Sequence, residues 1–350
     1  MKYKIKLLVI LALLFSIGCK GKTEQQYKPT GRRVDHKKPL AWGHGQTIYV
    51  FADDRVWKYA EKPLKDSIER FFYTTENETM FELKRADYKA MDQFYRFKNL
   101  IFLGHLESKE EVSSFIKERL TETALAGIDE NGAGMYLMHN LWANDQLVVF
   151  IMGQTEEKLL RYNIIQAEDT FQSFREVLFQ RTRSKIYGLE VYPDSFFKKQ
   201  PWLIKIPKSY IVYKEDSEHR YLSFLSRKKD NADKYVTVYY EKMEENNVNL
   251  AWAVKTREKL AWDVYDEDEI VKEDTRSELT DFKGRKAIKI SGKWQNKKYA
   301  VGGAFQTFAF YDQQSKKAFF VDNSVFFPEG YKLSSLIELE IISRTIELKE

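Results

Sequence analysis

The chain has 350 residues, of which 57 are Lys or Arg and 52 are Asp or Glu, and its net charge at pH 7 is +5. A hydrophobic fraction of 43% is enough for a folded core and excludes a wholly disordered chain. The near balance of charges gives no argument for nucleic-acid binding, and a single cysteine excludes an internal disulfide.

The first nineteen residues have the three-part pattern of a bacterial lipoprotein signal. Three lysines lie within the first six residues and precede an apolar run at residues 7–17. A helix of that length rises about 16 Å, roughly half the hydrocarbon core of a bilayer, so it is too short to span a membrane. Gly18 and Cys19 follow, and Cys19 is the only cysteine. We expect cleavage between Gly18 and Cys19 and acylation of the Cys19 thiol, which would anchor the protein to membrane lipid.

The alternative for this segment is a buried N-terminal helix or strand. It would bring Lys2, Lys4 and Lys6 into a core, which lysine rarely enters. Ser16 departs from the Leu that usually stands three places before the modified cysteine. The small residues Ser16 and Gly18 nevertheless suit a peptidase that approaches the backbone closely, and the leader remains the preferred interpretation.

Residues 19–40 are predicted to be a disordered basic tether. Removing the leader (residues 1–18) leaves 54 basic against 52 acidic residues, a net charge of +2. Most of the excess lies just after Cys19, where it would either contact anionic lipid or form a solvated spacer, and we prefer the spacer. Lys20, rather than Asp, follows Cys19, which favours the outer membrane. Because the segment is not acidic, we expect the protein to face the periplasm.

Residues 41–190 are predicted to form an α/β domain, because buried strands alternate with helices. Strands are predicted at 47–52, 80–83, 99–103 and 146–152. Between and after them we expect a helix from about 54 to 72, a helix at 88–97, a helix after a capping box at Ser108 and Glu111, and a long helix from 155 to 188. Asp53 or Asp54 would cap the first of these helices, and residues 127–134 would form a loop.

Residues 191–350 are predicted to be a second α/β domain, with an antiparallel sheet covered by helices. Alternating apolar residues predict a sequence of strands, and two helices are expected at 250–265 and 333–346. The predicted strands lie at 202–213 with a break at Pro207, and at 221–225, 235–240, 287–294, 304–311 and 317–327. The fold class is therefore α/β or α+β, with a first domain of three or more strands flanked by helices and then the antiparallel sheet.

The order of several short motifs resembles an uncharacterised family of Bacteroidetes-type envelope lipoproteins, known only as a domain of unknown function. The resemblance spans about residues 42–346. It rests on pieces such as Ile48-Tyr-Val, Asn99-Leu-Ile-Phe, Leu141-Trp-Ala-Asn-Asp, Gly292-Lys-Trp and Val325-Phe-Phe-Pro-Glu-Gly-Tyr-Lys. From about residue 206 onward the chain also resembles the PsbP and Mog1 fold. The resemblance implies binding or assembly and brings no catalytic residues with it.

No catalytic, cofactor-binding or metal-binding residues are predicted. The five histidines, at positions 36, 44, 105, 139 and 219, show no zinc-ligand spacing. The acidic cluster at 263–274 lacks the alternating ligands and central glycine of a calcium loop and is interpreted as a solvated turn. Of seven tryptophans, most are assigned to the core. Trp142, which lies between Asn140 and Asn144-Asp145, is the one candidate for a ligand contact.

These features predict a cell-envelope lipoprotein that acts as a binding or assembly module. Its partners would be membrane lipid, through acylated Cys19, and an unidentified envelope protein. No nucleic acid and no cofactor are expected, and a binding role is favoured over an enzymatic one. The alternative is an envelope hydrolase or a carbohydrate-binding or carbohydrate-handling protein. That alternative requires a concave pocket that gathers a histidine with a carboxylate or serine.

Overall fold

The computed structural model describes residues 35–349, and the first half of this range forms a five-stranded sheet with helices on both faces. The strands of this half are β1 (Thr47–Ala52), β2 (Phe71–Tyr73), β3 (Asn77–Thr79), β4 (Glu82–Arg85), β5 (Asn99–His105), β6 (Ala133–His139) and β7 (Leu147–Gly153). The helices are α1 (Asp54–Ile68), α2 (Met91–Phe94), α3 (Glu111–Lys117), α4 (Glu122–Asn131), α5 (Glu156–Ile165) and α6 (Ala167–Tyr187).

The order of the strands is β4-β1-β5-β7-β6, and only β6 is antiparallel to its neighbour. Strand β5 is buried at every residue but its last, and β7 at every residue, as expected for parallel strands covered on both faces. Successive side chains point to opposite faces. Leu100 and Phe102 pack with α3, whereas Ile101 and Leu103 belong to the core shared with α1, α5 and α6.

The second half is built on an antiparallel sheet of eight strands. The ten strands of this half are β8 (Trp202–Leu203), β9 (Ile211–Asp216), β10 (Tyr221–Ser226), β11 (Asp233–Lys242), β12 (Glu269–Ile270), β13 (Arg276–Phe282), β14 (Arg285–Asn296), β15 (Val301–Asp312), β16 (Lys317–Phe326) and β17 (Glu347–Leu348). Its helices are α7 (Leu250–Val264) and α8 (Leu333–Ser343). The sheet runs β12-β14-β15-β16-β11-β10-β9, with β13 also paired to β14, while β8 pairs with β17.

Helices α7 and α8 cover opposite faces of this larger sheet. In β16, Phe320 belongs to the core beneath α7, while Phe319 and Val321 belong to the core beneath α8. The large strands therefore bury both faces along their centres. The predicted fold class, a first sheet with flanking helices followed by an antiparallel sheet with helices, is confirmed.

Residues 38–349 form one compact unit, and a single hydrophobic core includes side chains from both sheets. Helix α6 packs on α8. The Glu78 carboxylate, in the first half, accepts hydrogen bonds from the backbone N–H groups of Lys332 (2.8 Å) and Leu333 (2.9 Å) at the start of α8. These buried hydrogen bonds join the β2–β3 hairpin of the first half to α8 of the second half. The proposed domain division at residue 190 stays a prediction.

Several local predictions are wrong. Residues 127–134 are not a loop, because α4 continues to Asn131 and β6 begins at Ala133, with only Gly132 between them in the left-handed conformation. The long helix after residue 155 is two helices that meet at Gln166. Ser108 and Glu111 do not form a capping box, since the first N–H groups of α3 find a carboxylate from another part of the chain. The start of β6 at Ala133 was missed because this strand is stabilised by its pairing with β7, and a local sequence pattern contains no information on that pairing.

Candidate functional site

One pocket lies at an end of the eight-stranded sheet, beneath the loop that follows α7. Strands β11 and β15 begin here, and β14 and β16 end here, so side chains from distant parts of the chain meet. The cavity has a volume of about 210 Å³. We call it the aromatic pocket and define it by Tyr213, Tyr235, Tyr299, Trp294, Phe326 and Asp268.

Aromatic rings wall this pocket on two sides. On one side, Tyr235 packs edge-on against Tyr213 (ring centroids 5.2 Å apart) and against Tyr265 (5.4 Å). On the other side, the rings of Trp294 and Phe326 lie 6.1 Å apart. Tyr299 is 56% exposed and stands at the mouth. Burial raises the pKa of Tyr235 to about 12, so its hydroxyl is neutral at pH 7. The walls therefore offer ring faces and the neutral Tyr235 hydroxyl, and the ion pair of Arg227 and Asp233 also borders the cavity.

The loop over the pocket carries two carboxylates in different environments. Asp266 and Glu267 have φ values of 56° and 73°, a left-handed conformation that is uncommon outside glycine. The turn lets the Asp268 N–H donate to the Ala261 carbonyl (3.1 Å). Asp266 is exposed, and it accepts hydrogen bonds from the Tyr213 hydroxyl and the Lys214 ammonium (both 3.1 Å). Asp268 is turned inward.

The Asp268 carboxylate is 7% exposed and accepts a hydrogen bond from the Asn296 amide at 2.9 Å. Burial raises the pKa of the Asp268 carboxyl to about 6, against the opposing influence of the Asn296 amide and the Arg257 charge. The sequence analysis placed Asp268 in a solvated turn. That interpretation is wrong for this residue, although Asp263, Glu267 and Glu273 of the same cluster are exposed.

A buried polar network lies behind the pocket, between α7 and the sheet. Arg257 and Asp322 are both fully buried, and Arg257 Nε lies 2.9 Å from Asp322 Oδ1. Asp322 also accepts hydrogen bonds from the hydroxyls of Tyr265 (2.9 Å) and Thr307 (2.6 Å). The guanidinium lies over the Phe305 ring, 4.6 Å from its centroid. This network holds Tyr265, and through it the wall of the pocket, in one position.

Some buried donors at and behind the pocket have no acceptor among residues 35–349. The indole N–H of Trp294 is one, on a side chain that is 5% exposed and lines the cavity. The two terminal nitrogens of Arg257 are others, although their charge is balanced by Asp322. Buried polar groups are nearly always hydrogen-bonded in folded proteins, so an unpaired donor that borders a cavity requires a partner such as water or a ligand. These donors make this pocket the best candidate for a binding site.

A second cleft lies at the carboxyl end of β1 in the smaller sheet. The chain leaves β1 for β4 on one side and returns to β5 on the other, which is the topological switch point where doubly wound folds bind ligands. This cleft has a volume of about 510 Å³ and is bordered by Asp53, Asp87, Lys89 and Glu110. We call it the Asp53 crevice.

The Asp53 carboxylate already occupies the backbone N–H and hydroxyl donors that the start of α3 presents to this crevice. It accepts hydrogen bonds from the N–H groups of Val112 (2.9 Å) and Ser113 (3.2 Å) and from the Ser113 hydroxyl (2.6 Å). Asp53 therefore caps α3, not α1 as the sequence analysis expected. A phosphate or carboxylate ligand would have to displace the buried Asp53 side chain to reach these N–H and hydroxyl groups. Asp53 therefore has a structural role, connecting the end of β1 to the start of α3.

Trp142, the predicted ligand contact, packs on the face of the smaller sheet that α3 covers. It does not line the aromatic pocket. Its N–H in the backbone donates to the Gln146 side-chain oxygen (3.0 Å), and its ring is 6.2 Å from those of Phe102 and Phe115. One edge of the side chain borders an open groove with Tyr95 and Arg119. The ligand contact at Trp142 stays a prediction. Cys19 and Gly18, the predicted lipidation and cleavage sites, lie outside the described residues.

The residues of the aromatic pocket were not identified from the sequence. Trp294 was assigned to the core, which is correct for its burial but omits the cavity beside it. The available signal was the placement of aromatic residues at strand ends, since Tyr235 and Phe326 each lie within three residues of the end of a strand. No group of three or more His, Cys, Asp or Glu side chains among residues 35–349 has the geometry of a metal site.

Two family models match the chain, one for each half. A domain of unknown function, DUF8532, matches residues 41–187, and another, DUF4837, matches residues 194–345. No curated protein matches the sequence. Among the residues that the structure describes, no helix has the length and hydropathy needed to cross a membrane.

Several solved structures show distant structural similarity. The Ran-binding protein Mog1p of Saccharomyces cerevisiae is 12% identical, with 43% of this chain and 92% of Mog1p covered and a TM-score of 0.30. LpqN, involved in cell envelope biogenesis of Mycobacterium tuberculosis, is 8% identical, with 43% and 83% covered and a TM-score of 0.29. A Bacteroides thetaiotaomicron VPI-5482 protein is 11% identical, with 46% and 48% covered and a TM-score of 0.27.

Proposed function

We propose that this protein is a lipoprotein of a Bacteroidetes-type cell envelope whose folded part binds a ligand or an envelope protein. Acylated Cys19 holds it in the outer membrane, on the periplasmic face, and residues 20–37 act as the tether, because residues 38–40 belong to the folded unit. The leader supports the anchor, because a short apolar run ends at the only cysteine of the chain. Two or three acyl chains give a lasting attachment, at about 0.8 kcal/mol for each buried CH₂.

The binding role is carried by one observation, the aromatic pocket. It combines ring walls, one inward-facing carboxylate and a buried indole N–H without an acceptor among residues 35–349. Pockets that bind small molecules have mostly apolar linings with a few convergent polar groups. The volume of about 210 Å³ is below the roughly 300–1,000 Å³ of drug-sized sites, so the ligand, or the part of it that enters, is small.

The enzymatic alternative requires a base or nucleophile poised against a substrate. Within residues 35–349 no histidine lines the aromatic pocket, and His219 pairs instead with Asp216, three residues before it, at 2.6 Å. Asp233 and Asp266 are each held by a cation, Arg227 and Lys214 respectively. These pairings support binding over hydrolysis.

The anchor is tested by changing Cys19 to Ser in the full chain. We expect the variant to lose incorporation of labelled palmitate and to leave the membrane fraction. Ser16→Ala is the matched control, because it keeps a small residue before the cleavage site and should be processed and labelled normally. A C19S protein that stays membrane-bound and labelled would overturn the anchor.

The binding role is tested on acylated protein purified from its native membrane in a neutral detergent. We expect mass spectrometry to find a small molecule or protein that co-purifies with the wild type and is lost from Trp294→Ala. Trp262→Ala, at a tryptophan that is 56% exposed on α7, is the control and should retain it. Equal recovery from both variants would remove the aromatic pocket from the proposal.

A further inference from the structure

We propose that the aromatic pocket binds the ammonium group of an organic amine, with Asp268 as its counter-ion and the surrounding rings as its cage. The inference rests on the binding role proposed above and names the chemistry of the ligand. It follows from the distribution of charge in the pocket and from the arrangement of the rings.

Three of the four carboxylates at and behind the pocket already have a cation. Asp233 lies 2.7 Å from Arg227, Asp266 lies 3.1 Å from Lys214, and Asp322 lies 2.9 Å from Arg257. These three pairs are neutral as units.

Asp268 is the exception. No lysine or arginine of the described chain lies within ion-pair distance of its carboxylate, and its one side-chain partner is the neutral Asn296 amide. A buried carboxylate without a cation is costly, so the pocket carries one negative charge that a ligand can neutralise. An anionic ligand would add a second negative charge and is disfavoured.

The rings are placed as a cage for such a cation. An ammonium group within about 6 Å of an aromatic centroid is attracted by the negative face of the ring, and cages of several rings recognise alkylammonium ions. Tyr213 and Tyr235 lie on one side of the cavity, Trp294 and Phe326 on the other, and Tyr299 at the mouth. A ligand oxygen next to the ammonium would provide an acceptor for the Trp294 N–H, which has none within residues 35–349.

Binding should weaken in acid, because protonation removes the counter-ion. The charged groups near Asp268 are Asp266 on its own loop, Arg257 on α7, Asp322 on β16 and the Arg227–Asp233 pair on the pocket lining, and the titratable hydroxyls are those of Tyr213, Tyr235, Tyr265 and Tyr299. Arg257 and Asp322 form a pair, and Tyr235 is neutral at pH 7. With the pKa of Asp268 at about 6, the ionised fraction falls roughly tenfold between pH 7 and pH 5. The affinity for an ammonium ion should fall by the same factor.

The first experiment titrates the full-length protein, in a neutral detergent, with choline chloride and with ethanolamine hydrochloride, and follows tryptophan fluorescence and calorimetric heat. Sodium chloride at equal ionic strength, sodium acetate and glucose serve as comparisons. We expect saturable binding of the amines only, at least tenfold weaker in Asp268→Asn and roughly tenfold weaker at pH 5 than at pH 7. Asp263→Asn removes a nearby exposed carboxylate and should bind normally.

A second variant guards against misfolding of Asp268→Asn. Tyr299→Ala removes a half-exposed ring at the mouth, and we expect a several-fold loss of amine affinity with an unchanged circular dichroism spectrum. Binding of glucose or acetate in place of the amines, or amine binding that neither variant weakens, would overturn the proposal. Absence of any amine binding would do the same.

A second experiment distinguishes a lipid head group from a free amine. The full chain with Cys19→Ser, which has no acyl anchor, is floated with vesicles of phosphatidylethanolamine or of phosphatidylglycerol. Flotation with the first alone, lost in Asp268→Asn, identifies a lipid head group. Binding of choline or ethanolamine without flotation identifies a free amine. A co-purifying molecule that is lost from Trp294→Ala, together with no binding of amines in the titrations, would keep the binding role and overturn only the ammonium ligand, so the two proposals fail separately.

Discussion

The Asp53 crevice and the aromatic pocket are both clefts at the ends of strands, and each contains a buried aspartate. In the crevice, Asp53 receives three hydrogen bonds from the start of α3. In the pocket, Asp268 receives one hydrogen bond from a side chain, and Trp294 beside it keeps an unpaired N–H within the described chain. In the larger cleft, at the place where doubly wound folds usually bind, the buried aspartate is therefore satisfied by donors of its own chain. The smaller one retains polar capacity for a ligand.

The first way to test this comparison is to remove one half of the buried pair behind the pocket. Arg257→Met leaves the Asp322 carboxylate buried without its cation, and the loss of stability should be about 3–5 kcal/mol. Urea unfolding monitored by circular dichroism measures it. Adding Asp322→Leu should restore much of the loss, because the uncompensated charge is then gone as well. A single substitution that costs less than about 1 kcal/mol would show that the network does not hold the wall.

The second test removes the carboxylate from the crevice. Asp53→Ala leaves the buried N–H groups of Val112 and Ser113 without their acceptor and should destabilise the protein by about 2 kcal/mol. Asp54→Ala is the control. The Asp54 side chain is 93% exposed, and a surface ion pair of this kind contributes little, so we expect a change within about 0.5 kcal/mol. An equal loss of stability in the two variants would mean that Asp53 does not stabilise the start of α3.

The third test removes the Asp268 carboxylate and should raise the stability of the protein, whereas the first two substitutions lower it. The pKa of Asp268 is about 6 in the folded protein and 3.8 for an ordinary aspartate, so the folded state holds a proton that the unfolded state has released between these values. Stability from this group is present in acid and is lost as the pH rises from about 4 to 6. One pKa unit corresponds to about 1.4 kcal/mol, and partial solvent access reduces the cost.

Asp268→Asn should therefore be more stable than the wild type at pH 7 by roughly 1–2 kcal/mol and should show little difference at pH 4. Urea unfolding at pH 4, 5, 6 and 7 measures this. A variant that is stabilised but no longer binds is the expected result for a group retained for function. An Asp268→Asn variant less stable than the wild type at pH 7 would show that Asp268, like Asp53, stabilises the fold.

The smallest effect is expected at Trp142. Phe retains much of the ring contact with Phe102 and Phe115, so Trp142→Phe should cost less than about 1 kcal/mol in urea unfolding. The affinity for amines should not change, since Trp142 does not line the aromatic pocket. A tenfold loss of amine affinity would move the site to the groove beside α3.

The central elements of both sheets could be predicted because their patterns are local. Strands β5 and β7 are short runs of apolar residues, and α8 carries a dense set of leucines and isoleucines. Thr155 was correctly read as the start of a helix, since its side chain accepts a hydrogen bond from the Lys158 N–H. Such signals act over three or four residues, which is the range that a sequence pattern reports.

The site could not be predicted, because its contacts join residues far apart in the chain. Asp268 and Asn296 are 28 residues apart, and Asp53 and Ser113 are 60 apart. Local rules assigned Asp53 to the helix that follows it and Asp268 to solvent. Both assignments failed because the tertiary fold offered better partners or removed water.

The sequence by itself determined most of the central strands and helices, since these depend on the local order of apolar and polar residues; the leader and the acylation of Cys19 stay predictions. The tertiary structure alone decided which carboxylates are paired and which are not. Pairing depends on distances between side chains from separate strands, and the electrostatic cost of an unpaired charge is large only after folding has excluded water from around it.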